Sequence, residues 1–205
     1  MDNWNVDLFL AINGPAAPAP WMLHLAMVCA EGLVYVVAAL AAGLWMWGAP
    51  QRRGGLVAVG CGLLLAFAVN TAIGMVWYHP RPFAAGIGHQ LMAHDMATSF
   101  PSDHGTFLFT VGLGLIATGA ARRWGAVVLA LGAATAWARV YLGVHWPLDM
   151  AGAFILGGVC ALFAVILRPV ADAHLAPLVE RLYHRLLDGL RLPLAMFPRR
   201  RSSVR

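Results

Sequence analysis

Between residues 21 and 167 the chain is a succession of apolar runs long enough to cross a lipid bilayer, separated by short polar stretches. A hydrocarbon core of ~30 Å takes about 20 apolar residues in helical form. The spacing predicts five such spans, at 21–47, 56–78, 105–121, 125–142 and 148–167. In lipid, backbone polar groups are satisfied only within helices or closed barrels. The runs are continuous rather than alternating, which selects helices. The fold class expected is therefore all-α, a polytopic transmembrane helical bundle.

Composition agrees. The chain is 60% hydrophobic and 11% charged, against roughly 25% charged in soluble domains. One membrane-embedded domain, 1–170, is expected, with no room for a soluble module. The N-terminal stretch lacks the basic region of a cleavable signal peptide, so insertion through the first span is expected. Cys29, Cys61 and Cys160 fall inside apolar runs at no metal-binding spacing and read as small hydrophobes.

The chain contains no lysine, so its net charge of +5 is carried by arginine. Arg52, Arg53, Arg122, Arg123, Arg168 and the C-terminal cluster fall on one side of a five-span arrangement, which the positive-inside rule makes cytoplasmic. Residues 171–205 place leucines at helical spacing with arginines between them. This predicts an amphipathic basic segment on the cytoplasmic face, with the tail PRRRSSVR drawn to the same anionic surface. Only Arg81 and Arg139 fall on the opposite side, against the bias.

Three polar clusters share that opposite side: WYHPRPF (77–83), SFPSDHGT (99–106) and ARVYLGVHWPLD (138–149). Arg81 and Arg139 supply forked, permanently charged donors suited to phosphoryl oxygens. Ser102 and the N–H groups opening the third helix add donors at a positive dipole end. His104 and His145 can act as acid, base or nucleophile. Asp149 follows His145 by four residues across a helix start with Pro147 in its first turn. A carboxylate there can accept the imidazole's second N–H and fix its tautomer. Together these parts describe a phosphoryl-transfer site at one membrane surface.

The ordered motifs Arg81-Pro82, Pro101-Ser102-Asp103-His104 and Arg139…His145…Asp149 resemble the type 2 phosphatidic acid phosphatase superfamily. The details YHPRPF, FPSDH and YLGVHWPLD are most similar to its bacterial undecaprenyl diphosphate phosphatase branch, the bacitracin-resistance type. The resemblance covers about residues 70–150 and implies metal-independent chemistry in two steps, with no cofactor. His145 would form a phosphohistidine, Asp149 would orient it, and His104 would protonate the leaving lipid phosphate. Arg81, Arg139 and Ser102 would hold the phosphoryl oxygens. Relatives of this kind often have six spans, so six is the alternative count. Two positions depart from the family pattern: its first-motif lysine is Gly74 here, and the serine before its third-motif arginine is Ala138. His79 is a candidate substitute for the lysine.

Other residues carry open readings. Glu31 lies about ten residues into the first span, where an ionisable group is functional or paired. Asn70, within the second span, is a candidate partner, and a protonated glutamate making one interhelical hydrogen bond is the alternative. Asp103 is expected to cap its helix or to hold a histidine or an arginine, and Gly105 follows in the helix's first turn. His89, His94 and Asp95 share a loop and read as solvated residues, substrate contacts or, against their irregular spacing, a metal site. Trp21, Trp77 and Trp146 read as an interfacial belt.

The expected activity is hydrolysis of a lipid diphosphate at the outer face of the bacterial cytoplasmic membrane. Undecaprenyl diphosphate is the favoured substrate, and membrane lipids rather than nucleic acid are the expected partners. Another lipid phosphate (phosphatidylglycerophosphate or phosphatidic acid) and a lipid phosphotransferase are the nearest alternatives. A small transporter is the non-enzyme alternative, against which the chain shows no internal repeat. A haem protein would need paired histidines within the spans, whereas here they gather at helix ends.

Overall fold

The computed structural model describes residues 3–189; the basic tail lies outside the described residues. A short helix α1 (Asn3–Ile12) is followed by α2 (Pro20–Trp47), α3 (Arg53–Val76), α4 (Asp103–Ala117), α5 (Arg122–Tyr141) and α6 (Pro147–Val170). A π turn, Ala171–Leu175, carries the last of these into α7 (Ala176–Gly189). There is no strand among the described residues.

Helix α4 is the axis of the bundle, packed against α3, α5 and α6. Glycines allow that closeness, since lipid provides no hydrophobic drive and helices associate through small-residue contact. A Cβ on Gly125 would lie 2.7 Å from the Gly112 carbonyl oxygen, and one on Gly157 would lie 2.8 Å from the Thr110 nitrogen. Val37, Val59, Leu108, Val111, Leu115 and Val128 fill the core around this axis. Tyr35, Leu64, Met75, Ile155, Leu162 and Ile166 point outward and exposed. An apolar exterior around a packed apolar core is the arrangement that a bilayer requires, and the chain is an integral membrane protein.

The spans depart from expectation in length. Among the described residues four helices are long and apolar enough to cross a membrane: Pro20–Trp47, Pro50–Val76, Arg122–Tyr141 and Pro147–Leu187. The third predicted span, 105–121, becomes the 15-residue α4, which starts at Asp103 and ends at Ala117. Gly119, at φ +69°, turns the chain there, and Thr118 Oγ1 donates to the Gly114 carbonyl at 2.7 Å. At 1.5 Å per residue α4 is about 22 Å long, short of the hydrocarbon core. The fifth run does not stop at 167 but continues through Pro169 and the π turn.

The first and last described helices both pack onto the bundle. On α1, Phe9 is buried against Trp146 with ring centroids 5.0 Å apart, and Asn5 Oδ1 accepts the Leu148 N–H at 3.1 Å. At the other end of the molecule Arg53 is buried beneath the Trp45 ring, 3.4 Å from Glu180 of α7.

If the glycine contacts set the helix spacing, Gly157→Leu should lower the thermal unfolding midpoint in detergent by about 2–12 °C. Overpacking a core costs ~1–3 kcal/mol, and ~1 kcal/mol moves a chain of this size by about 2–4 °C. Gly158→Leu, where a Cβ would meet only Leu113 at 3.9 Å, should move it far less. Equal shifts would show that the axis contact is unimportant.

Candidate active site

The Arg-x5-His-x3-Asp spacing is the product of two helix-end devices in succession. Helix α5 ends in a Schellman turn, with Gly143 at φ +77°. The Val144 N–H returns to the Arg139 carbonyl at 3.1 Å and the Gly143 N–H to the Val140 carbonyl at 3.0 Å. This puts Arg139 in the last turn of α5 and brings His145 just past the turn. Helix α6 then opens with Pro147 at its start. Asp149 Oδ2 caps it by accepting the Trp146 N–H at 2.8 Å.

The same oxygen lies 3.1 Å from His145 Nδ1 and accepts the Ser99 hydroxyl in a short hydrogen bond. With Nδ1 donating to the carboxylate, Nε2 of His145 is left as the basic atom, 3.1 Å from an Arg81 guanidinium nitrogen. Arg81 is buried and held by three backbone carbonyls, those of Ala97 (3.2 Å), Thr98 (3.2 Å) and Val144 (2.9 Å). It thereby fastens the loop after α3 to the turn that carries His145. Burial, and then the Arg139 and Arg81 guanidiniums, push the His145 imidazole well below its ordinary value of 6.5. The ring is neutral, with its lone pair in place.

Arg139 is fixed from the other side by α2. Residues Val28–Gly32 form a π turn in the middle of that helix. Widening a helix in this way frees carbonyls from the ladder, and α5 takes two of them. Thr135 Oγ1 donates to the Cys29 carbonyl at 2.8 Å, and Arg139 donates to that of Ala30 at 3.2 Å. Arg139 also reaches Glu31 Oε1 at 3.2 Å and His94 Nε2 at 3.0 Å. Burial, together with Arg81 and Arg139, lowers His94 from its ordinary value, so its ring is neutral and accepts from Arg139. The Arg139 Nε is buried without a partner.

Ser102 caps α4, its hydroxyl accepting the Gly105 N–H at 3.4 Å, and His104 follows in the first turn with Nε2 3.9 Å from Glu31 Oε2. A pocket of about 420 Å³ opens beside these groups, lined by Glu31, Ala93, His94 and Asp95.

The structure thus brings His145, Asp149, Arg81, Arg139, Ser102 and His104 to one end of the bundle, and it corrects several expectations around them. Asn70 is not the partner of Glu31: its amide donates to Asp103 Oδ1 at 2.8 Å and to Thr106 at 3.3 Å, across the α3–α4 contact. Asp103 thus takes Asn70 through one oxygen, and the cap of the helix is Ser102 instead. His79 stands 3.7 Å from Asp149 Oδ1, against the carboxylate. At Gly74, the family's lysine position, a Cβ would lie 2.8 Å from the Thr98 methyl group. Trp146 leaves the interfacial belt altogether: it is fully buried, with its indole N–H on the Pro80 carbonyl at 2.8 Å. His89 is tied to Asn13 and Gly14, away from His94. Among the described residues no three His, Cys, Asp or Glu groups converge as metal ligands. Ser99 and the contacts of His94 were invisible to spacing, because each depends on how the loop between α3 and α4 folds back over the site.

Comparison with known proteins agrees with this architecture. The PAP2 superfamily model matches residues 55–172, more than half of the chain and the stretch that holds the three motifs. The chain is 37% identical to YbjG of Escherichia coli K12, a provisional undecaprenyl-diphosphatase, over 100% of this chain and 99% of that protein. It is 28% identical to the undecaprenyl-diphosphatase BcrC of Bacillus subtilis 168, over 91% and 95% of the two chains. The crystal structure of Aquifex aeolicus LpxE shares the fold, with a TM-score of 0.63 and 23% identity over 79% of this chain and 94% of that one. A shared helical fold, the matched family region and relatives alike along their whole length lead to one statement: the chain belongs to the PAP2 superfamily of phosphatases.

Proposed function

We propose that this membrane phosphatase hydrolyses a lipid diphosphate, and that undecaprenyl diphosphate is the substrate. The carrying observation is the His145 ring, neutral and buried, with Nδ1 on Asp149 and Nε2 beside Arg81. Full-length similarity to YbjG and BcrC supports the choice of lipid. The arginine distribution supports a site on the outer face of the cytoplasmic membrane and a cytoplasmic C-terminus. The product, a lipid monophosphate, would return to the cell as a cell-wall carrier.

In the first step Nε2 of His145 attacks the terminal phosphorus. An N–P bond forms as the bond to the leaving lipid phosphate breaks, and His104 donates a proton to the departing oxygen. Arg81, Arg139 and the Ser102 end of α4 face the equatorial oxygens, where charge accumulates. In the second step water attacks phosphorus and His104 takes its proton. The N–P bond breaks, releasing inorganic phosphate and restoring neutral His145. Asp149 keeps the tautomer throughout, and Ser99 keeps Asp149 in place.

His145→Ala should reduce phosphate release from undecaprenyl diphosphate by about 10³-fold or more in a protein that still folds and unfolds cooperatively. Assays run with EDTA, and with phosphatidylglycerophosphate and phosphatidic acid as competitors, test metal independence and substrate choice together. Wild-type turnover in that variant would refute the mechanism.

The pH profile gives a separate check. The active form of His145 is neutral, and its folded value is depressed, so activity persists below the ordinary 6.5 and is lost only as pH falls through the lower value. The acid limb of kcat/KM, corrected for substrate ionisation, should therefore lie well below 6.5. Arg81→Gln, by removing one cation from beside Nε2, should move that limb upward. An acid limb at 6.5 in both proteins would contradict a buried, cation-flanked nucleophile.

A further inference from the structure

Glu31 is an acidic group at the site to which the steps above give no task, although it lies against two residues that have one. Its placement is unusual. It sits on the π turn of α2, more than two turns from the helix start, and its side chain is 52% exposed toward the pocket that also holds His94 and Asp95. Its two oxygens are divided between two partners. Oε1 takes Arg139 at 3.2 Å, and Oε2 faces His104 Nε2 at 3.9 Å. A carboxylate beside a phosphate-binding arginine repels the substrate's own charge, so binding alone gives no reason for it to be there.

The acid step gives one. His104 can donate a proton only as an imidazolium, yet its burial, and then Arg139 from α5 and Arg81 from the loop after α3, act against that charge. His145 and His94 are neutral and offer no compensation. Asp103, the adjacent carboxylate on α4, is engaged by Asn70. Among the described residues Glu31 is the one carboxylate within ion-pair distance of His104. The 3.9 Å separation is too long for a hydrogen bond, so attraction acts through space and leaves Nε2–H free to meet a leaving oxygen. We propose that Glu31 is a positioning residue for the acid step, favouring the proton-donating form of His104 while Arg139 steadies the carboxylate. This rests on the phosphatase reading above and extends it to the residue that makes its acid effective. Helix α2 thus contributes to the chemistry, although it carries none of the three motifs.

The test is the dependence of the loss on leaving group. An alkyl monophosphate expels a poor leaving group that needs the proton most, a lipid diphosphate is intermediate, and p-nitrophenyl phosphate needs it least. Full-length E31Q should lose about 100-fold in kcat/KM on a long-chain alkyl monophosphate, in the range of general-acid contributions. Its loss on p-nitrophenyl phosphate should be at least about ten times smaller. Added to H104A, E31Q should cost nothing further, because the proton donor it serves is gone. E31D keeps the charge and should recover most of the alkyl-phosphate rate. An equal loss on all three substrates, with E31Q and H104A additive, would mean that Glu31 only anchors Arg139, and would overturn the proposal. Should E31Q fail to fold, the leaving-group series on E31D decides instead: its residual loss grows along the series if the proposal holds and is flat if it does not. H145A run alongside separates the two levels. Residual turnover there condemns the phosphatase reading, whereas a dead H145A with a flat E31Q series condemns only the role of Glu31.

Discussion

One oxygen atom organises the reactive end of this molecule. Asp149 Oδ2 caps α6 through the Trp146 N–H, receives the Ser99 hydroxyl and lies within hydrogen-bonding distance of His145 Nδ1. A helix terminus, the loop ahead of α4 and an imidazole tautomer are thereby fixed by the same partner. In a site shielded from water an unmet donor costs more than it would at a surface, so the three donors and the carboxylate hold one another in place. Arg81 repeats the arrangement in reverse, with one guanidinium spread over three carbonyls and the far side of the same ring. The site is rigid because its polar groups have almost nowhere else to go.

How much of this the sequence discloses depends on how local each device is. The turn from Arg139 to Asp149 is written in consecutive residues: a glycine for the left-handed cap, a histidine after it, then proline and an acid to open the next helix. Its geometry follows from spacing alone. That Arg81 and Arg139 lie at the opposite end of the bundle from Arg53 is readable in the same way, because two cationic residues apart from the rest stand out in a lysine-free chain. Both features depend on neighbours only a few residues away.

Long-range contacts were not legible. Asn70 and Glu31 lie at similar distances along their spans, which invites pairing them. The structure sends Asn70 to Asp103 and Glu31 to Arg139. The cause is the π turn at Val28–Gly32, which rotates the face of α2 toward α5 and hands over its freed carbonyls. Nothing in the apolar periodicity marks that turn. The short α4 escapes the sequence for a related reason, since Gly119 turns the chain inside a run that stays apolar to Ala121.

That short central helix has a consequence for the bilayer itself. A span of about 22 Å inside a hydrocarbon layer of ~30 Å leaves several ångströms to be made up. The Ser102 N–H meets the Asp149 carbonyl at 3.4 Å, so α4 and α6 open at one level and that level is set by the shorter helix. A bilayer of ordinary thickness would bury it, so the leaflet has to thin around this end of the bundle. The membrane's own thickness is thus one of the dimensions of the site.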